Sequence, residues 1–158
     1  MRQVVGILVV VLLWLAPVGA SSWEVVVRRL RLSVISLACS AHDRISCTAF
    51  SIHEQNRLYL TAAHCTDSPE LQGETVTAFG QPIVVVYQSS PESGLDLLVF
   101  RAAEGRPALH LSPRPLERGR QLGSFGFGYG LPGGMFRTGY VSSLLVDGLG
   151  QSFLWLDN

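Results

Sequence analysis

Beyond residue 20 the apolar positions fall in short runs broken by turn-forming residues, and no stretch sustains a helical period. The pattern predicts strands at 30–38, 47–53, 57–61, 75–79, 83–87 and 95–101, after a lead-in at 21–29. Their separators carry turn chemistry: Ala41-His42-Asp43, Glu54-Gln55-Asn56, Asp67-Ser68-Pro69, Gly80-Gln81-Pro82 and Ser89-Ser90-Pro91-Glu92-Ser93-Gly94. An all-β fold follows, because short antiparallel strands remove their exposed edges by closing into a barrel, here spanning 30–103. Residues 104–118 place Gly105, Pro107, Pro113 and Pro115 among charges and read as a linker over the surface. A second unit at 119–158 shows strands at 121–127, 136–144 and 152–156. Three strands do not close a barrel. Phe125, Phe127, Tyr140, Val141 and Trp155 are therefore expected to be poorly covered, and this partial unit to be unstable alone.

The N-terminal pattern differs. Arg2 precedes an apolar run from Val4 to Leu15, followed by Ala16-Pro17-Val18-Gly19-Ala20. That layout is a secretory leader over residues 1–20, with cleavage expected after Ala20 and a secreted or periplasmic destination. An uncleaved membrane anchor is the alternative, since no charge interrupts the chain between Gln3 and Trp23. Export bears on the three cysteines, Cys39, Cys47 and Cys65, because thiols outside the cytosol tend to pair. One must be left over. Spacing does not choose the pair, and a Cys39 to Cys47 bridge across neighbouring strands is one option. No Cys-x-x-Cys or His-x-x-x-His spacing supports a structural zinc site, and no cofactor is called for.

Lys plus Arg equals Asp plus Glu at 12 each, so the formal charge is zero and no long-range field gathers polyanions. No nucleic-acid partner is expected on that ground. Arg28, Arg29 and Arg31 form the one basic cluster and read as a solvated strand edge. The glycine run from Gly126 to Gly134 departs from Gly-x-Gly-x-x-Gly at Leu131, lacks a Lys-Ser/Thr ending and precedes a strand. It reads as turn geometry.

Two residues carry candidate chemistry. His64 closes the apolar strand Leu58-Tyr59-Leu60-Thr61-Ala62-Ala63, where the chain leaves a barrel wall for the surface. A near-neutral imidazole there can take a proton from a hydroxyl and return it to a leaving group. His42, His53 and His110 lack that context and read as loop histidines. Asp96 lies in Gly94-Leu95-Asp96-Leu97-Leu98-Val99-Phe100, where a carboxylate among apolar residues needs a donor. If the donor is His64, the carboxylate fixes the imidazole tautomer and stabilises the imidazolium.

Cys47-Thr48-Ala49-Phe50-Ser51-Ile52, Thr61-Ala62-Ala63-His64-Cys65 and Gly94-Leu95-Asp96-Leu97-Leu98-Val99 together resemble the first barrel of trypsin-like, chymotrypsin-fold serine peptidases. The sequence separation of 32 from His64 to Asp96 is similar to the spacing in compact bacterial, HtrA-like and viral members. Leu122-Gly123-Ser124-Phe125-Gly126-Phe127-Gly128, Thr138-Gly139-Tyr140-Val141-Ser142-Ser143 and Leu154-Trp155-Leu156-Asp157-Asn158 resemble second-barrel segments of the same group. The resemblance implies a chymotrypsin-like double β-barrel, the first complete and the second partial. It also implies His64 as general base, Asp96 as its orienting carboxylate, a Cys47 to Cys65 disulfide, and a protein or peptide substrate. No Gly-x-Ser-Gly-Gly segment occurs, and Ser124, Ser142 and Ser143 sit in strand-like contexts that match no nucleophile motif. The expectation is thus a serine endopeptidase chain truncated before its nucleophile and inactive alone. A secreted non-catalytic module with a protease-like barrel is the alternative.

Overall fold

The computed structural model describes residues 21–39, 45–67, 74–110, 112–113, 115, 117–127, 133–146 and 152–157. The leader reading of residues 1–20, the turns at 41–43 and 68–69, and most of the glycine run lie outside the described residues. Among the described residues ten strands and two α-helices are placed: α1 (Ser21–Ser33), β1 (Val34–Cys39), β2 (Ile45–His53), β3 (Leu58–Thr61), α2 (His64–Asp67), β4 (Val76–Ala78), β5 (Gln81–Pro82), β6 (Val84–Gln88), β7 (Leu98–Arg101), β8 (Gln121–Gly126), β9 (Met135–Val146) and β10 (Ser152–Asp157). Strand dominates, and the protein is all-β in architecture, with a nearly closed barrel-like sheet and a second, smaller sheet.

The larger sheet runs β5-β4-β1-β2-β3-β7-β6, every neighbouring pair antiparallel. Its two end strands are separated only by Ile83, so β5 and β6 form one bent strand that meets β4 at one end and β7 at the other. The Ile83 amide donates to the Val76 carbonyl at 3.2 Å and carries the ladder through the bend. That bend brings the ends of the sheet together. Side chains alternate as a half-buried strand requires: in β7, Leu98 and Phe100 are buried while Arg101 is exposed. Leu37, Ala49, Tyr59, Leu98 and Phe100, all fully buried, fill the interior, with Tyr59 stacked on Phe100 at 5.5 Å. Each such large side chain stabilises the fold by on the order of 1.5–3 kcal/mol.

The chain between Val34 and Ser21 corrects the expected strand at 30–38. Residues 30–33 complete α1, and the barrel begins at Val34. The alternation Arg29-Leu30-Arg31-Leu32 imitates a strand, yet Leu30 is buried and Leu32 is 52% exposed. Burial instead follows a helical face, with Val26 and Leu30 packed with Val34 and Phe50. Glu24 in the first turn and Arg31 in the last complement the helix dipole. Arg28, Arg29 and Arg31 are exposed as expected, but on a helix rather than a strand edge.

The second sheet has the order β10-β9-β8, and α1 lies against it. Trp23 meets Phe136 at 5.4 Å between ring centroids. Through this packing Phe125 and Phe127 join the Leu30, Val34 and Phe50 cluster, and Val141 is buried. The expectation of poor cover is therefore corrected for those three residues. Tyr140 remains 54% exposed, and the side chain of Trp155 lies outside the described residues. The linker does not simply cross the surface. Ser51 Oγ donates to the Arg106 carbonyl at 2.7 Å, Tyr59 Oη to the Glu104 carbonyl at 3.1 Å, and the Leu109 amide to the Ser51 carbonyl at 2.8 Å. These bonds tie its first half to the barrel.

Candidate active site

At the end of β3 the wall of the barrel stops abruptly. Thr61 is fully buried, and its hydroxyl donates to the Thr48 carbonyl of β2 at 2.8 Å. Ala62 and Ala63, small enough to be buried at the turn, lead into the single turn of α2. The Cys65 amide donates to the Ala62 carbonyl at 3.2 Å and the Thr66 amide to the Ala63 carbonyl at 3.0 Å. Cys65 points inward and is bonded to Cys47 of β2, with Cα atoms 5.9 Å apart. Inward anchorage of both neighbours turns His64 outward, leaving its side chain 54% exposed. Cys39 is buried outside the bridge, which settles the pairing that spacing left open.

Asp96 reaches the same rim from the neighbouring strand, on the chain leading into β7. The expected strand at 95–101 begins only at Leu98, so Asp96 lies on the approach to β7 rather than within it. Preceding it, a tight turn over Pro91–Ser93 ends at Gly94, whose φ of 67° suits glycine. The adjacency of β3 and β7 in the sheet closes the 32-residue gap between His64 and Asp96.

Both oxygens of the Asp96 carboxylate are engaged by His64. The backbone amide donates to Oδ1 at 2.9 Å, and Nδ1 lies 2.5 Å from Oδ2. Partial burial pushes the Asp96 carboxyl up, but the His64 amide, the His64 ring, its charge and the Ala63 amide outweigh it and hold the group below the usual carboxylate range. A carboxylate on Nδ1 selects the tautomer with the proton on that nitrogen and leaves the Nε2 lone pair directed away from Asp96. The arrangement can accept a proton at Nε2 and stabilise the resulting imidazolium.

Cys47, His64 and Cys65 place a nitrogen and two sulfurs within 4.8 Å of one another, a spacing that a metal could use. Both sulfurs are consumed by the disulfide, and Nδ1 is taken by Asp96. As for the other histidines, His53 Nδ1 accepts the Asn56 amide in a turn at 3.3 Å, His110 is exposed, and His42 lies outside the described residues. Ser124 is paired with Arg137 within the β8–β9 ladder, and Ser142 and Ser143 belong to β9.

Two contributors escaped the sequence reading. Thr48 Oγ1 accepts the Phe127 amide at 2.7 Å, joining the end of β8 to the strand that carries Cys47. Ser89, which reads as an ordinary turn residue, is buried beside the Asp96 segment. Thr48 acts through a partner 79 residues away and Ser89 through the loop that closes back on it, contacts that residue type alone does not announce. Comparison of the sequence with protein-family models and with curated proteins finds no match. Fold and site together define an all-β barrel protein bearing a carboxylate-oriented histidine on its rim.

Proposed function

We propose that this chain carries the acid–base half of a trypsin-like serine endopeptidase with a chymotrypsin-like double-barrel plan. The observation that carries the reading is the two-point contact of Asp96 with His64, on the ring and on the backbone amide. In this mechanism a serine hydroxyl attacks the scissile peptide carbonyl and His64 Nε2 takes its proton. Asp96 stabilises the imidazolium, which then protonates the departing amine, and water releases the acyl group by the same route. The sequence holds no Gly-x-Ser-Gly-Gly segment, so the reading assigns the nucleophile to a residue outside 1–158. The Cys47–Cys65 bridge accords with an oxidising, exported compartment, reached through residues 1–20 acting as a leader. A membrane contact enters only if that segment stays attached.

A second reading is a secreted non-catalytic module that retains the barrel. A fluorophosphonate probe separates the two. The 158-residue chain should remain unlabelled, whereas a chain extended into the downstream reading frame through a Gly-x-Ser-Gly segment should label stoichiometrically. In that extended chain His64→Ala should slow labelling by about three to four orders of magnitude. Labelling that ignores His64, or a downstream frame with no such serine, overturns the peptidase reading.

A further inference from the structure

Asp96 has no strand ladder of its own to hold it. It is flanked by Gly94, in a left-handed conformation, and by the start of β7 two residues later. Its side chain is 45% exposed, so water competes with His64 for the carboxylate. One buried residue grips the backbone on both sides. The Ser89 hydroxyl donates to the Leu95 carbonyl at 2.7 Å and accepts the Leu97 amide at 3.0 Å. The Ser89 amide donates in turn to the Leu97 carbonyl at 2.8 Å. These three bonds bracket Asp96 on its N-terminal and C-terminal sides, and Ser89 is only 4% exposed, so water does not substitute readily.

We propose that Ser89 is a positioning residue that sets the backbone of Asp96 and thereby aims its carboxylate at His64. The inference rests on the reading of His64 and Asp96 as an acid–base pair. Removing the hydroxyl frees the Leu95 carbonyl and the Leu97 amide together, while the backbone bond from Ser89 to Leu97 survives. The segment then stays in place but loses its angular restraint. His64 is the titratable group that faces Asp96, so a loosened carboxylate registers directly in that contact.

The test uses NMR of the 158-residue chain labelled at histidine nitrogen and aspartate carbon. It follows the deshielded proton between His64 Nδ1 and Asp96 Oδ2, and the titration of the Asp96 carboxyl. In Ser89→Ala the bridging proton should exchange with water about tenfold faster or more, as expected for losing two hydrogen bonds, and the Asp96 titration should move upward. Ser89→Cys fills the same space with a weakly bonding thiol and should give the same changes in milder form if the alanine variant fails to fold. Ser51→Ala is the matched control, because it removes an equally buried hydroxyl bonded to a carbonyl, Arg106, outside the pair. It should lower stability and leave both signals unchanged. His64→Ala should raise the Asp96 titration; if it does not, the pair itself is disproved. If His64→Ala moves Asp96 while both Ser89 variants leave the signals unaltered, or if Ser51→Ala matches Ser89→Ala, the role of Ser89 is overturned and the pair stands.

Discussion

Replacing Tyr59 by Phe removes the one oxygen that ties this barrel side chain to the linker and leaves the ring stacked on Phe100. At neutral pH the loss is the hydrogen bond to the Glu104 carbonyl, a net of about 1 kcal/mol. Alkaline pH reverses the balance. Burial pushes the phenol up to about 12; Arg106 opposes the shift, and Glu104 and Glu54 add to it. The folded protein therefore holds this proton more tightly than the unfolded chain, whose phenol titrates near about 10. The resulting stabilisation is complete below about pH 10 and is lost as pH rises toward the folded value. The raised pKa costs the wild type about 1 kcal/mol at pH 11 and about 2 kcal/mol at pH 12. The sequence contains no lysine, so few other groups titrate in this range, and those few are common to both proteins. Urea unfolding of wild type and Tyr59→Phe at pH 7, 9, 10, 11 and 11.5 should show the variant weaker at neutral pH. The two stabilities should cross between about pH 10.5 and 11. A difference between the proteins that stays constant from pH 9 upward refutes the reasoning.

Opening the Cys47–Cys65 bridge by replacing both cysteines with alanine frees a loop with a sequence separation of 18 and should cost about 3 kcal/mol. An unchanged midpoint in denaturant would show that the bridge stabilises nothing. Because the folded Asp96 carboxyl sits below its ordinary range, its contribution is present above about pH 4 and lost as pH falls through the folded value. Asp96→Asn should flatten that acid limb by a fraction of a kcal/mol, about the size expected for a half-exposed pair; identical acid profiles count against the contact. Gly123→Ala places a Cβ 2.7 Å from the Phe136 ring and 2.9 Å from Trp23, so it should loosen α1 from β8 at a cost of about 1–2 kcal/mol. A neutral or stabilising result in thermal unfolding would mean that the rings yield freely.

Much of the barrel was legible because strand burial has period two and turns carry their own residue types. The strands of the first unit fall at nearly the expected places, and Gly94 stands where the turn needs positive φ. Failures came where a local pattern has two solutions. Arg29-Leu30-Arg31-Leu32 satisfies alternation, but α1 buries only Leu30, since Val34, Phe50 and the second sheet offer it a single apolar face. Gly80-Gln81-Pro82 has turn chemistry, yet Gln81 and Pro82 pair with β4 as β5, and with Ile83 and β6 they make one bent strand that serves two different partners, β4 and β7. No pattern within the segment encodes that.

By itself the sequence determined the position of most barrel strands, the turns at 54–56 and 89–94, the ending of an apolar strand at His64 and the presence of a carboxylate needing a donor at Asp96. These are properties of neighbouring residues, set by side-chain size, polarity and backbone preference. Only the tertiary structure decided that β3 lies beside β7, which delivers Asp96 to His64 across 32 residues. It likewise decided that Cys47 rather than Cys39 meets Cys65, that Thr48 receives the Phe127 amide, and that Ser89 braces both flanks of Asp96. Such contacts depend on which strands become neighbours when the sheet bends back on itself, and that outcome belongs to the summed packing of the barrel rather than to any one segment.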